Sequence, residues 1–170
     1  MLRNFVLIVL ASLVLSSCLK GSNGEGVCNY DPCAVKATAN EELAIQTYLT
    51  NNGIQGAVKH CSGMYYVIDA PGTGKTPGVC NDVTVNYVGT LTNGNKFDET
   101  TSSAGVTFNL NQVILGWKSG IPLIKEGGHI RLFIPPSLGY GNREMSARPG
   151  YSGIPAGSIL VFDVELKQVY

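Results

Sequence analysis

"VTVNYVGTLTNGNKFDET", residues 83–100, opens with apolar residues or glycine at every second position: Val83, Val85, Tyr87, Gly89 and Leu91 share one side, with Thr84, Asn86 and Thr90 opposite. A period of two marks a strand with one buried face. "TNGN" then supplies an Asn-Gly hairpin turn, with "KFDET" beyond it. The alternation recurs in "VTFNL" (Val106, Phe108, Leu110) and "HIRLFIP" (Ile130, Leu132, Ile134). It returns in "SILVFDVELKQV", where Leu160, Phe162, Val164 and Leu166 oppose Asp163, Glu165 and Lys167. Between them "NQVILGWKSGI" is apolar but glycine-broken, which predicts one short helix around Gly116–Ile121. These segments predict an α+β domain of about 110 residues, an antiparallel sheet packed on a helix, long enough for one core. No internal repeat is present.

Upstream, the pattern is helical. In "TANEELAIQTYLTNNG" Thr38 precedes Glu41 by three residues as a capping box, Ile45, Tyr48 and Leu49 share a face, and Gly53 is the stop. A helix this short does not stand alone, so it packs on the sheet domain or on a partner. The pair Glu41-Glu42 otherwise reads as solvated surface.

The N-terminus reads as an address. Arg3, the apolar run Phe5–Leu15, and small Ser16 and Ser17 before Cys18 have the layout of a secretory signal over residues 1–17, too short to span a bilayer. "LSSC" resembles the lipobox of bacterial lipoproteins, which implies cleavage before Cys18 and a lipid on its thiol. Each buried acyl methylene adds about 0.8 kcal/mol, so the expectation is an exported protein anchored to a bacterial membrane, on the periplasmic or outer-membrane side. "LKGSNGEG" (19–26) reads as a flexible tether, and the segment 18–37 ends in a cysteine loop. Cys28, Cys33, Cys61 and Cys80 remain, an even number in an exported chain, hence two disulfides with three possible connectivities. Sequence proximity favours Cys28 with Cys33 and Cys61 with Cys80.

Composition excludes several functions. Lys+Arg and Asp+Glu number 12 each, with no basic run, so no nucleic-acid footprint exists. With only His60 and His129 and no CxxC, zinc spacing is missing and no metal or other cofactor is expected. GxSxG, Walker and HExxH motifs are likewise missing.

What stands out is aromatic residues at strand ends and in loops. In "IPPSLGYGN" (134–142), Pro135 and Pro136 lack the N–H a ladder needs, so the strand ends and a glycine-flanked turn presents Tyr140. Together "VNYVGTLTNGNKFDET", "VILGWKSGIPLIKEGGHIRLFIPPSLGYG" and "IPAGSILVFDVEL" resemble the FKBP-type peptidyl-prolyl cis-trans isomerases, in family order over residues 64–169. The resemblance implies an antiparallel five- to six-stranded sheet wrapped around one short helix, to which the N-terminal helix (segment 38–60) is an addition to the isomerase domain (61–170). It implies a catalytic pocket of Tyr87, Phe97, Asp98, Trp117, Tyr140 and Phe162, with Val113, Ile114, Ile154 and Val106 in contact with substrate. Val106 stands where the family often has a further pocket aromatic.

The same resemblance implies that the Tyr140 hydroxyl bonds a carbonyl of the bound chain and that Asp98 accepts from Tyr87. The expected partners are Pro-containing polypeptides, and the expected function is isomerisation of X-Pro bonds in exported proteins. A non-catalytic binding module for Pro-containing or apolar segments is the alternative. The loop 142–153 is longer than the family's compact version and is expected to set substrate preference, with Tyr151 a candidate pocket wall.

Overall fold

The computed structural model describes residues 28–170; the expected signal, Cys18 and the 19–26 tether lie outside the described residues. The sheet assembles around β3 (Asp82–Leu91), whose Val83, Val85 and Leu91 are buried as the alternation requires. One side of β3 pairs antiparallel with β7 (Leu160–Val169) from Val83↔Val169 to Leu91↔Leu160. Its other side is shared. β4 (Lys96–Glu99) covers Val88 to Thr90, and β5 (Val106–Asn109) covers Asp82 to Val85.

Between those two neighbours a single residue closes the gap. The Thr100 N–H donates to the Tyr87 carbonyl at 3.0 Å, and the Tyr87 N–H donates to the Thr100 hydroxyl at 3.2 Å. The Asn-Gly turn is a three-residue loop: Gly94 at φ 85° donates to the Leu91 carbonyl, while Asn93 keeps a negative φ. A type I turn with a glycine bulge therefore replaces the two-residue primed turn.

Adding β1 (Val58–Lys59), β2 (Tyr65–Ala70) and β6 (His129–Ile134), the order is β1-β2-β6-β7-β3-β4, with β5 beside β3. The sheet has seven strands, every pairing antiparallel. The count rises above the expected five or six because one edge is split and β1 adds two residues.

α2 (Leu115–Gly120) crosses the inner face, and its glycines explain how closely. A Cβ on Gly116 would lie 2.5 Å from the Ile134 side chain, and one on Gly120 2.6 Å from Leu132. The inner core runs from Met64 through Ile130, Leu132, Leu160 and Val164 to Leu166.

On the outer face α1 (Ala39–Asn51) lays Ile45 and Leu49 on Tyr65, Val67 and Phe133. Both halves of its capping box form: Thr38 Oγ1 accepts from the Glu41 N–H, and Glu41 Oε2 accepts from the Thr38 N–H. The remaining oxygen of Glu41 accepts the Ser137 N–H at 2.9 Å, at the turn after β6. Burial pushes the Glu41 carboxyl up, but the amides of Thr38 and Ser137 outweigh it and hold the group below its ordinary pKa. Glu41 is thus a structural acceptor rather than solvated surface, and Glu42 accepts from Lys59 at 2.7 Å.

The disulfides join Cys28 to Cys80 and Cys33 to Cys61, with Cα atoms 5.8 and 5.4 Å apart. This corrects the pairing by sequence proximity. Each doubling of a loop costs only about 0.6 kcal/mol of closure entropy, so folded contacts decide the partner. The Ala37 N–H donates to the Ser62 carbonyl, which places Cys33 beside Cys61, while Tyr30 reaches α2 and bonds the Ser119 hydroxyl at 2.8 Å.

Candidate active site

Where β3, β4 and β7 meet the start of α2 there is a cavity of about 290 Å³. Trp117 in α2 is buried at its floor, and three rings meet it near-perpendicularly: Tyr87 at 5.2 Å, Phe162 at 5.3 Å and Phe108 at 5.6 Å between centroids. Phe97 stands edge-on to Phe162 at 5.4 Å. Gly89 makes this stack possible, because a Cβ there would fall 2.7 Å from the Phe97 ring and 3.0 Å from Phe162. Edge-to-face aromatic pairs each add about 0.5–1.5 kcal/mol beyond area burial, which fixes the walls.

The polar groups enter from the rim. Asp98 in β4 accepts the Tyr87 hydroxyl at 2.7 Å through Oδ2, and through Oδ1 it accepts Arg148 Nη2 at 2.7 Å and the Glu99 N–H at 3.0 Å. Burial, then the bond to Asp98, pushes the Tyr87 phenol far above its ordinary pKa. Tyr140 is raised as well, by burial first and by the Asp98 charge second. Its hydroxyl bonds to none of the described residues.

The turn that carries Tyr140 is fixed at both ends. Past Pro135 the chain makes a single 3₁₀ turn, Pro136–Leu138, with Leu138 buried. The Gly139 and Gly141 N–H groups both donate to the Pro136 carbonyl, Gly141 has φ 60°, and the Gly157 N–H donates to the Gly141 carbonyl. Glu41 holds Ser137 from the far side.

Of the residues expected at the site, the structure brings Tyr87, Phe97, Asp98, Val113, Ile114, Trp117, Tyr140 and Phe162 to one cavity. Val106 and Ile154 do not line it. Val106 pairs with Val85 and packs on the core from one side, and Ile154 is buried with its backbone bonded both ways to Met145. Two lining residues were not anticipated: Phe108, which the alternation already set on the face of Val106, and Gln112. Tyr151 is not a wall; its ring lies 5.3 Å from the Arg148 guanidinium. Among the described residues no group of three or more His, Cys, Asp or Glu is placed to hold a metal ion.

The architecture is an antiparallel sheet closed over one short helix, with an aromatic cavity at the helix start, and the sequence comparison names the family it belongs to. Residues 74–167, more than half of the chain, match the family described as FKBP-type peptidyl-prolyl cis-trans isomerase. The chain belongs to that family.

Among its relatives, the FKBP-type peptidyl-prolyl cis-trans isomerase FkpA of Escherichia coli K12 is 40% identical over 136 residues, 79% of this chain and 48% of that protein. FkpA of Buchnera aphidicola from Acyrthosiphon pisum is 41% identical over 126 residues, 73% of this chain and 50% of the relative. The chain therefore spans about half the length of these relatives. The crystal structure of E. coli FkpA superposes with TM-score 0.64 at 39% identity, covering 77% of this chain and 60% of that one. A peptidyl-prolyl cis-trans isomerase from Pseudomonas syringae gives 0.62 at 30% identity, covering 83% of this chain and 98% of that one.

Proposed function

We propose that this chain catalyses cis-trans isomerisation of X-Pro bonds in exported polypeptides, at the cavity floored by Trp117. The observation that carries this reading is the unequal state of two tyrosines at an aromatic cavity. Tyr87 has its hydroxyl committed to Asp98, and Tyr140, at the same cavity, has a hydroxyl that bonds to none of the described residues.

Twisting an X-Pro amide breaks no bond and meets a resonance barrier of about 18–20 kcal/mol. The planar amide is the more dipolar form, so water stabilises it over the twisted one. Walls of Tyr87, Phe97, Phe108, Trp117 and Phe162 withdraw that hydration, while a shape fitted to the twisted bond supplies differential binding. Tyr140 donates to a carbonyl of the bound segment and orients it. Asp98 holds Tyr87 in place and sets the field at the twisting carbonyl. No cofactor enters a reaction of this kind.

The test is the cis-to-trans rate of Leu-Pro and Phe-Pro peptides with the oxidised protein and its Asp98→Val and Phe97→Ala variants. The expected result is acceleration, lowered by Asp98→Val about tenfold in kcat/KM, equivalent to about 1.4 kcal/mol. A folded, oxidised protein that binds such peptides without accelerating them would overturn the enzyme in favour of a binding module.

The proposal extends to the cellular setting: a signal over 1–17, a lipid on Cys18, a tether and cysteine loop to residue 37, then the helix segment and the isomerase domain, held at a bacterial membrane. Two disulfides among the described residues support an oxidising compartment. Labelled fatty acid is expected in the natural chain and not in Cys18→Ala, which moves to the soluble fraction; a labelled, membrane-bound Cys18→Ala protein would refute the anchor.

A further inference from the structure

The segment 142–153 is a built hairpin. In "RPGY" Pro149 sits at the second position of a turn and Gly150, at φ 82°, at the third, and the Tyr151 N–H closes it onto the Arg148 carbonyl at 2.9 Å. That is the chemistry of a type II turn, which needs a positive φ at its third residue. Bridges Arg148↔Tyr151 and Met145↔Ile154 continue the pairing.

This hairpin lies along the free edge of β4. The Ser152 N–H donates to the Lys96 carbonyl at 2.9 Å, Arg148 Nη2 to the Phe97 carbonyl at 3.3 Å, and the Tyr151 hydroxyl to Glu99 Oε1 at 3.4 Å. Between the last two contacts, Nη2 of Arg148 meets Asp98 Oδ1 at 2.7 Å. The guanidinium also lies over the Tyr151 ring, 5.3 Å from its centroid, a cation–π contact made while its Nη2 serves Asp98.

We propose that Arg148 is the positioning residue for Asp98 and, by cancelling its charge at the mouth of the pocket, a determinant of which residue is tolerated before proline. The proposal rests on the isomerase reading of the same cavity. Asp98 has three partners on two oxygens, and only Arg148 carries charge. Without it the rim keeps a bare carboxylate beside Tyr87 and Tyr140, with Glu99 next in sequence, and an acidic side chain before proline meets repulsion. The Arg148 side chain is 59% exposed and Asp98 35%, so the pair contributes little to global stability and its effect is local.

The test compares Leu-Pro and Glu-Pro peptides with the full protein, Arg148→Ala and Arg148→Lys. Arg148→Ala is expected to unfold in urea as the natural protein does. It should lose about threefold in kcat/KM on Leu-Pro through misplacement of Asp98, and about tenfold or more on Glu-Pro at low salt, the excess shrinking at 0.5 M salt. Arg148→Lys should restore the Glu-Pro to Leu-Pro ratio while leaving the Leu-Pro rate low, because an ammonium returns the charge without the guanidinium's planar fork of donors. Equal, salt-independent losses on the two peptides, or no loss, overturn the proposal.

A second readout separates it from the isomerase reading. Trp117 is the chain's one tryptophan and floors the pocket, so its fluorescence reports peptide binding without turnover. If the natural protein fails to accelerate either peptide, the isomerase reading falls while binding still decides on Arg148. The same Glu-Pro to Leu-Pro affinity ratio in Arg148→Ala and the natural protein would then count against it.

Discussion

The two faces of the sheet are cut from the same strands, yet they are organised by different rules. Inward, Ile130, Leu132, Phe162, Val164 and Leu166 are buried along the whole of β6 and β7 and join one core. Outward, each strand changes character partway. β2 runs Tyr65, Val67, then Asp69; β6 runs Phe133, then Arg131 and His129; β7 runs Val161, then Asp163 and Glu165. The apolar ends lie under α1, and the charged ends meet one another: Arg131 grips Asp69 through two bonds of 2.8 and 2.9 Å, and His129 Nε2 lies 2.6 Å from Asp163. A larger, open groove of about 670 Å³ occurs on this side, lined by His129, Asp163, Glu165 and the hydroxyls of Thr100 to Ser103. The outer face thus records the footprint of a helix. The inner face stays apolar under α2 as well, and apart from the Tyr87 hydroxyl on β3 the charged and polar groups at the pocket rim arrive from β4, a turn and a hairpin.

The largest expected effect breaks the inner side. Phe162→Ala opens a cavity beside Trp117 and should cost about 3–5 kcal/mol in urea unfolding, together with the peptide isomerisation rate. On the outer side Ile45→Ala should cost about 2–4 kcal/mol by the same measurement, since it removes the buried anchor of α1. Its folded fraction should keep kcat/KM within about twofold, because a large-to-small cost stays with the site that fails to collapse; a greater loss would mean that the Glu41 to Ser137 bond carries the damage to Tyr140.

The smallest effect lies in the charged ladder. Asp69 is held below its ordinary pKa by the bond to Arg131, so its contribution is complete above the unfolded aspartate value and fades as pH falls through the lower folded one. Asp69→Asn should flatten that acid limb of stability by less than about 1 kcal/mol, the scale of a solvent-screened pair.

Periodicity and local motif carried much of this into view from sequence. The strands β3, β5, β6 and β7 repeat every second residue, and the capping box of α1 needs only Thr38 and Glu41. Tyr87, Phe97, Tyr140 and Phe162 sit in strand or turn patterns and Trp117 in the short glycine-broken helix, but their gathering into one pocket came from the family resemblance of the three stretches that hold them, not from periodicity. Other features depend on distance in the chain. Arg148 meets Asp98 across 50 residues from a segment with no period, so no window of sequence joins them. Cys28 and Cys80 are separated by 52 residues, and closure entropy discriminates weakly among such partners. Val106 and Phe108 share a face, and only the approach of Trp117 to Phe108 decides which side chain reaches the pocket.

The split edge of the sheet has a consequence for motion. Along β3 the pairing with β7 runs from Val83 to Leu91 with one bulge at Thr84/Val85, but on the other side the Tyr87 backbone is held by Thr100 alone, and its N–H rests on a hydroxyl that can rotate. Opening that contact unzips neither β4 nor β5. In hydrogen exchange, the Tyr87 amide is therefore expected to report local opening of the Thr100 contact rather than the unfolding of the sheet.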